Sequence, residues 1–245
     1  MERISQIKCC GDSAVTVEFG EQISPEENQK VMALHALLTR ERPAGIVETV
    51  PAYRSLMVHY DPCRLPYRDL CRLLENAAGR ADPAGGGGGP VLVIPVLYGG
   101  AGGPDLEAVA AYEHIPPEEV IRRHTTWNGY VYMLGFSPGN AYIGSARPTF
   151  SIPRRSTPRL KVPRGAVTVW ESQTTIFPME QPGGWHVIGN TPLRMFRPDR
   201  ADPFFLHPGQ RVRFRTVTDE EYGDIAARVE QGTYEPELLG EEARE

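Results

Sequence analysis

The chain has 245 residues, and its 26 basic and 31 acidic side chains give a net charge of −5. This length suits two domains, and the acidic balance argues against a nucleic acid or an anionic membrane as partner. Because no apolar run approaches the roughly 20 residues that span a bilayer, and no C-x-x-C spacing occurs, we expect a soluble cytoplasmic protein with reduced cysteines.

The first third of the chain alternates between strand and helix patterns. Apolar and polar residues alternate over residues 4–9 and 14–19, which predicts a β-hairpin. Ser24, with Pro25 and Glu27 after it, predicts a helix start with a capping box. A second strand pair over 46–50 and 56–60 and a helix over 66–78 that ends at Gly79 complete the pattern. Residues 1–82 are therefore predicted to form a ferredoxin-like α+β domain.

A glycine-rich stretch separates this domain from the rest. Five consecutive glycines begin at Gly85, so residues 83–90 are predicted to be a flexible linker. No Lys-Ser/Thr pair follows, which argues against a phosphate-binding loop. Beyond it we expect a strand over 91–97, helices over 105–114 and 117–124, and short strands separated by proline and glycine turns. This pattern predicts a mainly-β barrel domain over residues 91–245.

The segment Gly135-Phe136-Ser137-Pro138-Gly139 matches the G-x-S-x-G pattern of serine hydrolases. That pattern requires the backbone N–H of the residue after the serine for the oxyanion hole, and Pro138 has none. We therefore exclude a hydrolase elbow. Pro138 and Gly139 are instead predicted to occupy the centre of a type II turn.

A basic segment without acidic residues covers residues 147–170. Its cationic side chains are Arg147, Arg154, Arg155, Arg159, Lys161 and Arg164. Prolines recur every five residues from Pro148 to Pro163 and keep this backbone extended. Such a segment fits either a binding surface for carboxylate or phosphate groups or an ion-pair surface, and charge alone does not separate the two.

Three further features have both a structural and a functional interpretation. His124 ends a predicted helix, where the helix dipole favours the imidazolium form and would raise the pKa. Gln173 either satisfies the backbone or orients a polar substrate. Trp185, after the turn Pro182-Gly183-Gly184, either plugs the barrel or walls a cleft. No His, Cys, Asp and Glu side chains cluster at ligand spacing, so we expect no metal site.

Ordered blocks across nearly the whole chain resemble one family. They include Gly11-Asp12, residues 94–100, His124-Thr125, residues 130–139, Pro153-Arg154-Arg155, residues 158–163, Gln173-Thr174, residues 182–185 and Ile188-Gly189. This series resembles the family of B-type subunits of bacterial ATP-dependent 5-oxoprolinase, also called allophanate hydrolase subunit 1 and sporulation-kinase inhibitor proteins. The resemblance implies that the carboxy-terminal domain is a cyclophilin-like barrel of the carboxyltransferase type.

The resemblance also implies a non-autonomous enzyme subunit. With partner subunits of types A and C, the complex would couple ATP hydrolysis to the opening of 5-oxoproline to glutamate, with ATP as co-substrate. The site residues expected on this hypothesis are a catalytic acid/base or oxyanion donor, His124; a cationic clamp, Arg155, Arg159 and Lys161; an amide that orients the substrate, Gln173; and aromatic walls, Phe136, Tyr142 and Trp185. The turns expected near the site are formed by Gly135, Pro138, Gly139, Pro182, Gly183 and Gly184.

Two other functions remain open. One is the carboxyltransferase subunit of a biotin-dependent urea or amide carboxylase, and the other is a regulatory inhibitor of a histidine kinase. The sequence departs from the family pattern at Asn140, where an aromatic residue is usual, and at Ser145 and Glu171, where glycines are usual. These changes alter the expected shape and charge of the cleft.

Overall fold

A computed structural model describes residues 4–83, 89–144 and 149–240. The chain divides into two compact units, Met1–Gly88 and Gly89–Glu245. Residues 84–88, which make up most of the predicted linker, lie outside the described residues, as do Ser145 and Arg147. None of the described helices is long and apolar enough to cross a membrane.

The first unit is a four-stranded antiparallel sheet with two helices. Its strands are β1 (Gln6–Cys9), β2 (Ala14–Glu18), β3 (Ile46–Pro51) and β4 (Ser55–Tyr60), and its helices are α1 (Pro25–Glu41) and α2 (Tyr67–Arg80). The strand order β1-β2-β4-β3 is that of a ferredoxin-like sheet whose last strand has moved to the front of the sequence. Apolar residues of both helices and the sheet form one core that includes Phe19, Leu34 and Leu70. The predicted α+β fold class is confirmed.

The sequence predicts the start of α1 correctly but misplaces the end of α2. The Ser24 hydroxyl accepts a hydrogen bond from the Glu27 N–H at 3.2 Å, and Pro25 begins α1, as predicted. The predicted capping box is incomplete, because the Glu27 carboxylate binds Lys30 and not the backbone of Ser24. The prediction that Gly79 ends α2 is wrong. Gly79 does not adopt the left-handed conformation that ends helices, so α2 continues to Arg80.

The second unit is a closed β-barrel with three helices. Its strands are β5 (Val91–Tyr98), β6 (Gly129–Leu134), β7 (Ala141–Gly144), β8 (Arg159–Val162), β9 (Ala166–Trp170), β10 (Gln173–Ile176), β11 (Gln181–Gly183), β12 (His186–Asn190), β13 (Arg211–Thr216) and β14 (Leu238–Leu239). Its helices are α3 (Leu106–Glu113), α4 (Pro117–Thr125) and α5 (Asp219–Gln231). This arrangement confirms the predicted barrel.

Seven strands form the ring of the barrel. They follow the order β12-β9-β10-β7-β6-β13-β5, and pairing of Gly189 with Tyr98 joins β12 to β5. Strand β13 runs parallel to β5, whereas the other pairs are antiparallel. Closure leaves no open edge in the ring. Strand β6, which the sequence pattern misses, is buried along its first four residues and so lacks polar alternation.

Strands β8 and β11 pair with each other in a separate two-stranded sheet. Val162 of β8, Ala166, Phe177 and Val187 form a small apolar cluster there. The larger core fills the barrel and includes Ile94, Ile143 and Phe214. The end of β8 is therefore anchored by apolar contacts close to the start of β12.

Gly103 packs closely against the backbone of β12, and a substitution at this position tests that contact. A Cβ atom on Gly103 would lie 2.1 Å from the Ile188 carbonyl oxygen of β12. We expect Gly103→Ala to lower the free energy of unfolding of the second unit by about 1–3 kcal/mol, because the backbone must shift. Urea unfolding followed by tryptophan fluorescence reports this unit, since Trp127, Trp170 and Trp185 all lie within it.

The matched control is Gly223→Ala. Gly223 lies within α5, and nothing lies within 4 Å of its Cβ position. Alanine should stabilise this helix by about 1 kcal/mol. Equal effects of the two substitutions would contradict the packing described for Gly103.

Candidate functional site

The buried carboxylate of Asp105, immediately before α3, is the centre of a charged cluster that the sequence prediction misses. Arg159 donates from Nη1 to Oδ2 at 2.6 Å and from Nη2 to Oδ1 at 2.7 Å. Arg155 Nη1 donates to Oδ1 at 2.9 Å, and the Val187 N–H donates to Oδ2 at 2.8 Å. The structure therefore brings Arg155 and Arg159 together, but around a carboxylate of the chain itself.

These contacts determine the charge of the cluster. Burial on its own raises the pKa of Asp105, but the hydrogen bonds from Arg159 and the Val187 N–H and the charges of both arginines lower it more. The pKa therefore lies below its usual 3.8, and the carboxylate is ionised at neutral pH. Two guanidinium groups around one carboxylate leave one net positive charge.

A groove of about 480 Å³ lies beside the cluster. It is lined by residues 152–157 together with Ala108, Tyr112 and His186. Two polar atoms of these lining residues, Arg155 Nε and His186 Nδ1, are buried and have no hydrogen-bond partner within the described ranges. A buried polar atom without a partner costs about 1–3 kcal/mol, and a hydrogen bond from a ligand or from water would offset this cost.

Aromatic rings adjoin the groove. The Arg154 guanidinium lies 4.2 Å from the centre of the Trp170 ring and 5.9 Å from that of Trp185. The Trp185 ring centre is 5.4 Å from that of Trp170 and 6.3 Å from that of Tyr142. Gln173 is the ladder partner of Trp170, which places the two residues on one face of the sheet. Tyr142, Trp185 and Gln173 of the predicted site thus belong to one region.

His124 lies in the barrel core and is fully buried. The Thr174 hydroxyl donates to the Thr168 carbonyl at 2.7 Å, so it accepts from His124 Nε2 at 3.1 Å. His124 Nδ1 then accepts from the Tyr98 hydroxyl at 2.6 Å. The neutral imidazole with its proton on Nε2 satisfies all of these bonds.

The predicted rise in the pKa of His124 is wrong. Burial lowers the pKa of this imidazole from 6.5 to about 3, and its ring centre lies 4.2 Å from that of Phe214. Removal of the ring from water outweighs the helix dipole, because the dipole is worth at most about 2 kcal/mol. The structure places His124 within a neutral hydrogen-bond chain instead of in the arginine cluster.

Two other predicted site residues lie away from the groove wall. Lys161 is 80% exposed and pairs with Glu180 at 3.3 Å. Phe136 is 74% exposed, and its φ of 72° places it in the left-handed region. Neither residue is among those that line the groove.

The predicted turns have distinct roles. Gly139 has a φ of 81°, and the Asn140 N–H donates to the Ser137 carbonyl at 3.0 Å, as expected for a type II turn after Pro138. The Gly135 N–H donates to the Asn140 carbonyl at 3.0 Å.

The prediction of a turn at Pro182-Gly183-Gly184 is wrong, because Pro182 and Gly183 lie in β11, where they are paired with β8. The Gly184 carbonyl, just after β11, accepts from the Arg155 N–H at 2.8 Å. The end of β11 therefore fixes the backbone of Arg155 beside the groove. Over the ranges that the structure describes, no three His, Cys, Asp or Glu side chains form a metal-binding group.

Comparisons with known proteins cover both units. The family described as carboxyltransferase domain, subdomain C and D, matches residues 5–206. A Bacillus subtilis protein named as the B subunit of 5-oxoprolinase is 37% identical over 227 residues, which cover 89% of this chain and 95% of that protein. A protein of the same name from Escherichia coli O157:H7 is 47% identical over 207 residues, which cover 83% of this chain and 92% of that protein.

Among solved structures, the chain is similar to TTHA0988, with a TM-score of 0.74 and 37% identity. The match covers 84% of this chain but 40% of the TTHA0988 chain. This chain therefore spans less than half the length of that structure, whereas it spans nearly the full length of the two curated relatives.

The position of His124 predicts a pH-dependent stability. The unfolded imidazole binds a proton near pH 6.5, whereas the folded one does so only near pH 3. Stability should therefore fall as the pH drops through this window, by up to about 1.4 kcal/mol per pH unit. We expect His124→Gln to be less stable than wild type at pH 7.5 but to show a flatter decline in unfolding free energy between pH 6.5 and 5.

Urea unfolding at several pH values measures this slope. His207, which is partly exposed beside Asp202, provides the control, and His207→Gln should keep the wild-type slope. A wild-type slope in His124→Gln would show that the buried imidazole does not cause the acid sensitivity.

The contacts of Asp105 lead us to expect a large loss of stability from the substitution Asp105→Asn. Asp105→Asn keeps the side-chain shape but removes the charge that pairs with Arg155 and Arg159. We expect a loss of about 3 kcal/mol in unfolding free energy at pH 7. Glu180→Gln removes the exposed pair with Lys161 and should leave stability nearly unchanged. Similar stabilities of the two variants in urea unfolding would argue against a structural role for Asp105.

Proposed function

The chain belongs to the family of carboxyltransferase domains, subdomain C and D, and on that premise we propose that it is the B-type subunit of an ATP-dependent 5-oxoprolinase. The observation that carries this proposal is the near full-length similarity to two proteins named as B subunits of 5-oxoprolinase. The reaction adds water across the lactam C–N bond of 5-oxoproline to give glutamate, and ATP hydrolysis to ADP and phosphate drives it.

The groove beside Asp105 suits a small anionic amide. Its volume of about 480 Å³ lies within the usual range for ligand sites. Arg155 and Arg159 exceed Asp105 by one positive charge, and Arg154 adds another near the aromatic rings. This excess favours a substrate carboxylate in an otherwise acidic protein. We place the substrate here, with Trp185 and Gln173 towards its rim.

His124 has a different role in this proposal. Its buried imidazole binds Thr174, which directly follows Gln173 in β10. We infer that His124 is a positioning residue that fixes β10, and through it Gln173, and that it does not exchange protons with the substrate. Lys161, paired with Glu180 at the surface, is not required for binding.

The proposal includes partner subunits. The relatives are named as one subunit of an enzyme, which implies others, and we propose subunits of types A and C, which assemble with this chain in the cytoplasm. ATP is the co-substrate of that complex.

Reconstitution tests the function. We expect glutamate and phosphate to be released from 5-oxoproline and ATP when this chain is combined with its cognate partners of types A and C, and glutamate release to stop when the chain is omitted. Arg155→Met should lower kcat/KM for 5-oxoproline by about 10- to 100-fold, because a hydrogen bond to a charged group is lost. Lys161→Met is the control and should stay within twofold of wild type.

Two outcomes would contradict the proposal. Glutamate release without this chain would show that it is not a required subunit. An assembled complex without turnover would instead direct the test to urea-type substrates with a biotinylated donor, or to binding of a histidine kinase by the isolated chain.

A further inference from the structure

His186 lines the groove, and its Nδ1 atom acts as a hydrogen-bond acceptor. His186 Nε2 lies 3.0 Å from the Pro153 carbonyl oxygen, which can only accept, so Nε2 carries the proton. Burial lowers the pKa of His186 more than the contact with Pro153 and the charge of Asp105 raise it, and the ring is neutral at pH 7. Nδ1 is then a hydrogen-bond acceptor, and it is buried without a partner among the described residues.

The neighbouring guanidinium presents the complementary donor. Arg155 Nη1 is bound to Asp105, whereas Arg155 Nε is buried and unpaired within the described part of the chain. Two hydrogen bonds hold the segments of these residues side by side: the Arg155 N–H donates to Gly184, and His186 Nε2 donates to Pro153. One donor and one acceptor without partners therefore belong to adjoining segments of the same groove.

This pair of groups matches a ligand that both donates and accepts a hydrogen bond. A cis-amide, which a lactam ring enforces, presents an N–H donor and a carbonyl acceptor on the same edge. A carboxylate would satisfy Arg155 but not His186, and an ammonium group would satisfy His186 but not Arg155. A ligand edge that both donates and accepts removes both unpaired groups; a hydroxyl group and a cis-amide each provide one, and the proposed function selects the cis-amide of a lactam.

We propose that His186 Nδ1 accepts the lactam N–H of the substrate while Arg155 Nε donates to its carbonyl oxygen, which makes His186 the residue that distinguishes a lactam from a lactone. This assignment rests on the proposed 5-oxoprolinase function for the identity of the lactam. The Arg155 contact also polarises the carbonyl carbon that water attacks. The substrate carboxylate then faces the Arg154 side of the groove.

The lactone analogue of 5-oxoproline, 5-oxotetrahydrofuran-2-carboxylate, tests the role of the N–H. It keeps the carbonyl and the carboxylate but replaces N–H by oxygen, so Nδ1 would face a second acceptor. We expect the assembled complex without ATP to bind 5-oxoproline at least about tenfold more tightly than the lactone, measured by titration calorimetry.

Two substitutions separate ligand recognition from local structure. His186→Gln can keep the donor to Pro153, because its amide nitrogen reaches the position of Nε2, but it removes the Nδ1 acceptor. His186→Asn places an amide oxygen near the Nδ1 position but gives up the bond to Pro153. We expect the Gln variant to bind the lactam and the lactone within about threefold of each other, and the Asn variant to keep a preference for the lactam.

The opposite pattern, with preference kept in the Gln variant and lost in the Asn variant, would overturn the proposal and leave His186 a purely structural role. If the wild-type complex binds no 5-oxoproline, the proposed function fails separately. The same variants are then titrated with 2-pyrrolidone and N-methyl-2-pyrrolidone. A preference for the N–H compound that depends on His186 would support the groove assignment, and no binding of either compound would refute it.

Discussion

The buried carboxylate of Asp105 is the contact on which the groove depends. It joins the start of α3, the chain from Arg155 to the start of β8 at Arg159, and the first residues of β12, because Arg155, Arg159 and the Val187 N–H all bind the same two oxygen atoms. Burying a carboxylate is unfavourable unless its partners are in place. The three segments therefore hold one another in position, and the groove wall is fixed before any ligand binds.

Arg155 and Arg159 have a structural role and, on the proposed function, also a binding role. The two guanidinium groups stabilise the fold through Asp105 and leave one net positive charge, and Arg155 Nε has no partner among the residues that the structure describes. The alternatives left open by charge alone, an ion-pair surface and an anion-binding surface, are thus compatible in one structure. Arg154 takes no part in the Asp105 contacts and instead stacks on Trp170, which keeps a cation at the rim of the groove.

The sequence predicts features that neighbouring residues determine better than contacts between residues that are distant in the chain. The start of α1 at Ser24, the turn at Gly139 and the barrel class follow from short-range patterns. Asp105 could not be selected in the same way, because it lies 50 residues before Arg155 and resembles an ordinary residue at a helix start. His186 was likewise hidden within a strand. The environment of His124 depends on packing against Phe214, which is distant in the chain, so its helix position alone gives the wrong direction for its pKa.

We propose that the groove lined by Arg155 and His186 holds the lactam of the substrate. The most direct measurement is a crystal structure of the chain with its partners and 5-oxoproline, without ATP. We expect a lactam ring in the groove, with its N–H on His186 Nδ1 and its carbonyl oxygen on Arg155 Nε. A lactam bound elsewhere, with the groove filled by the chain or by a partner, would contradict it.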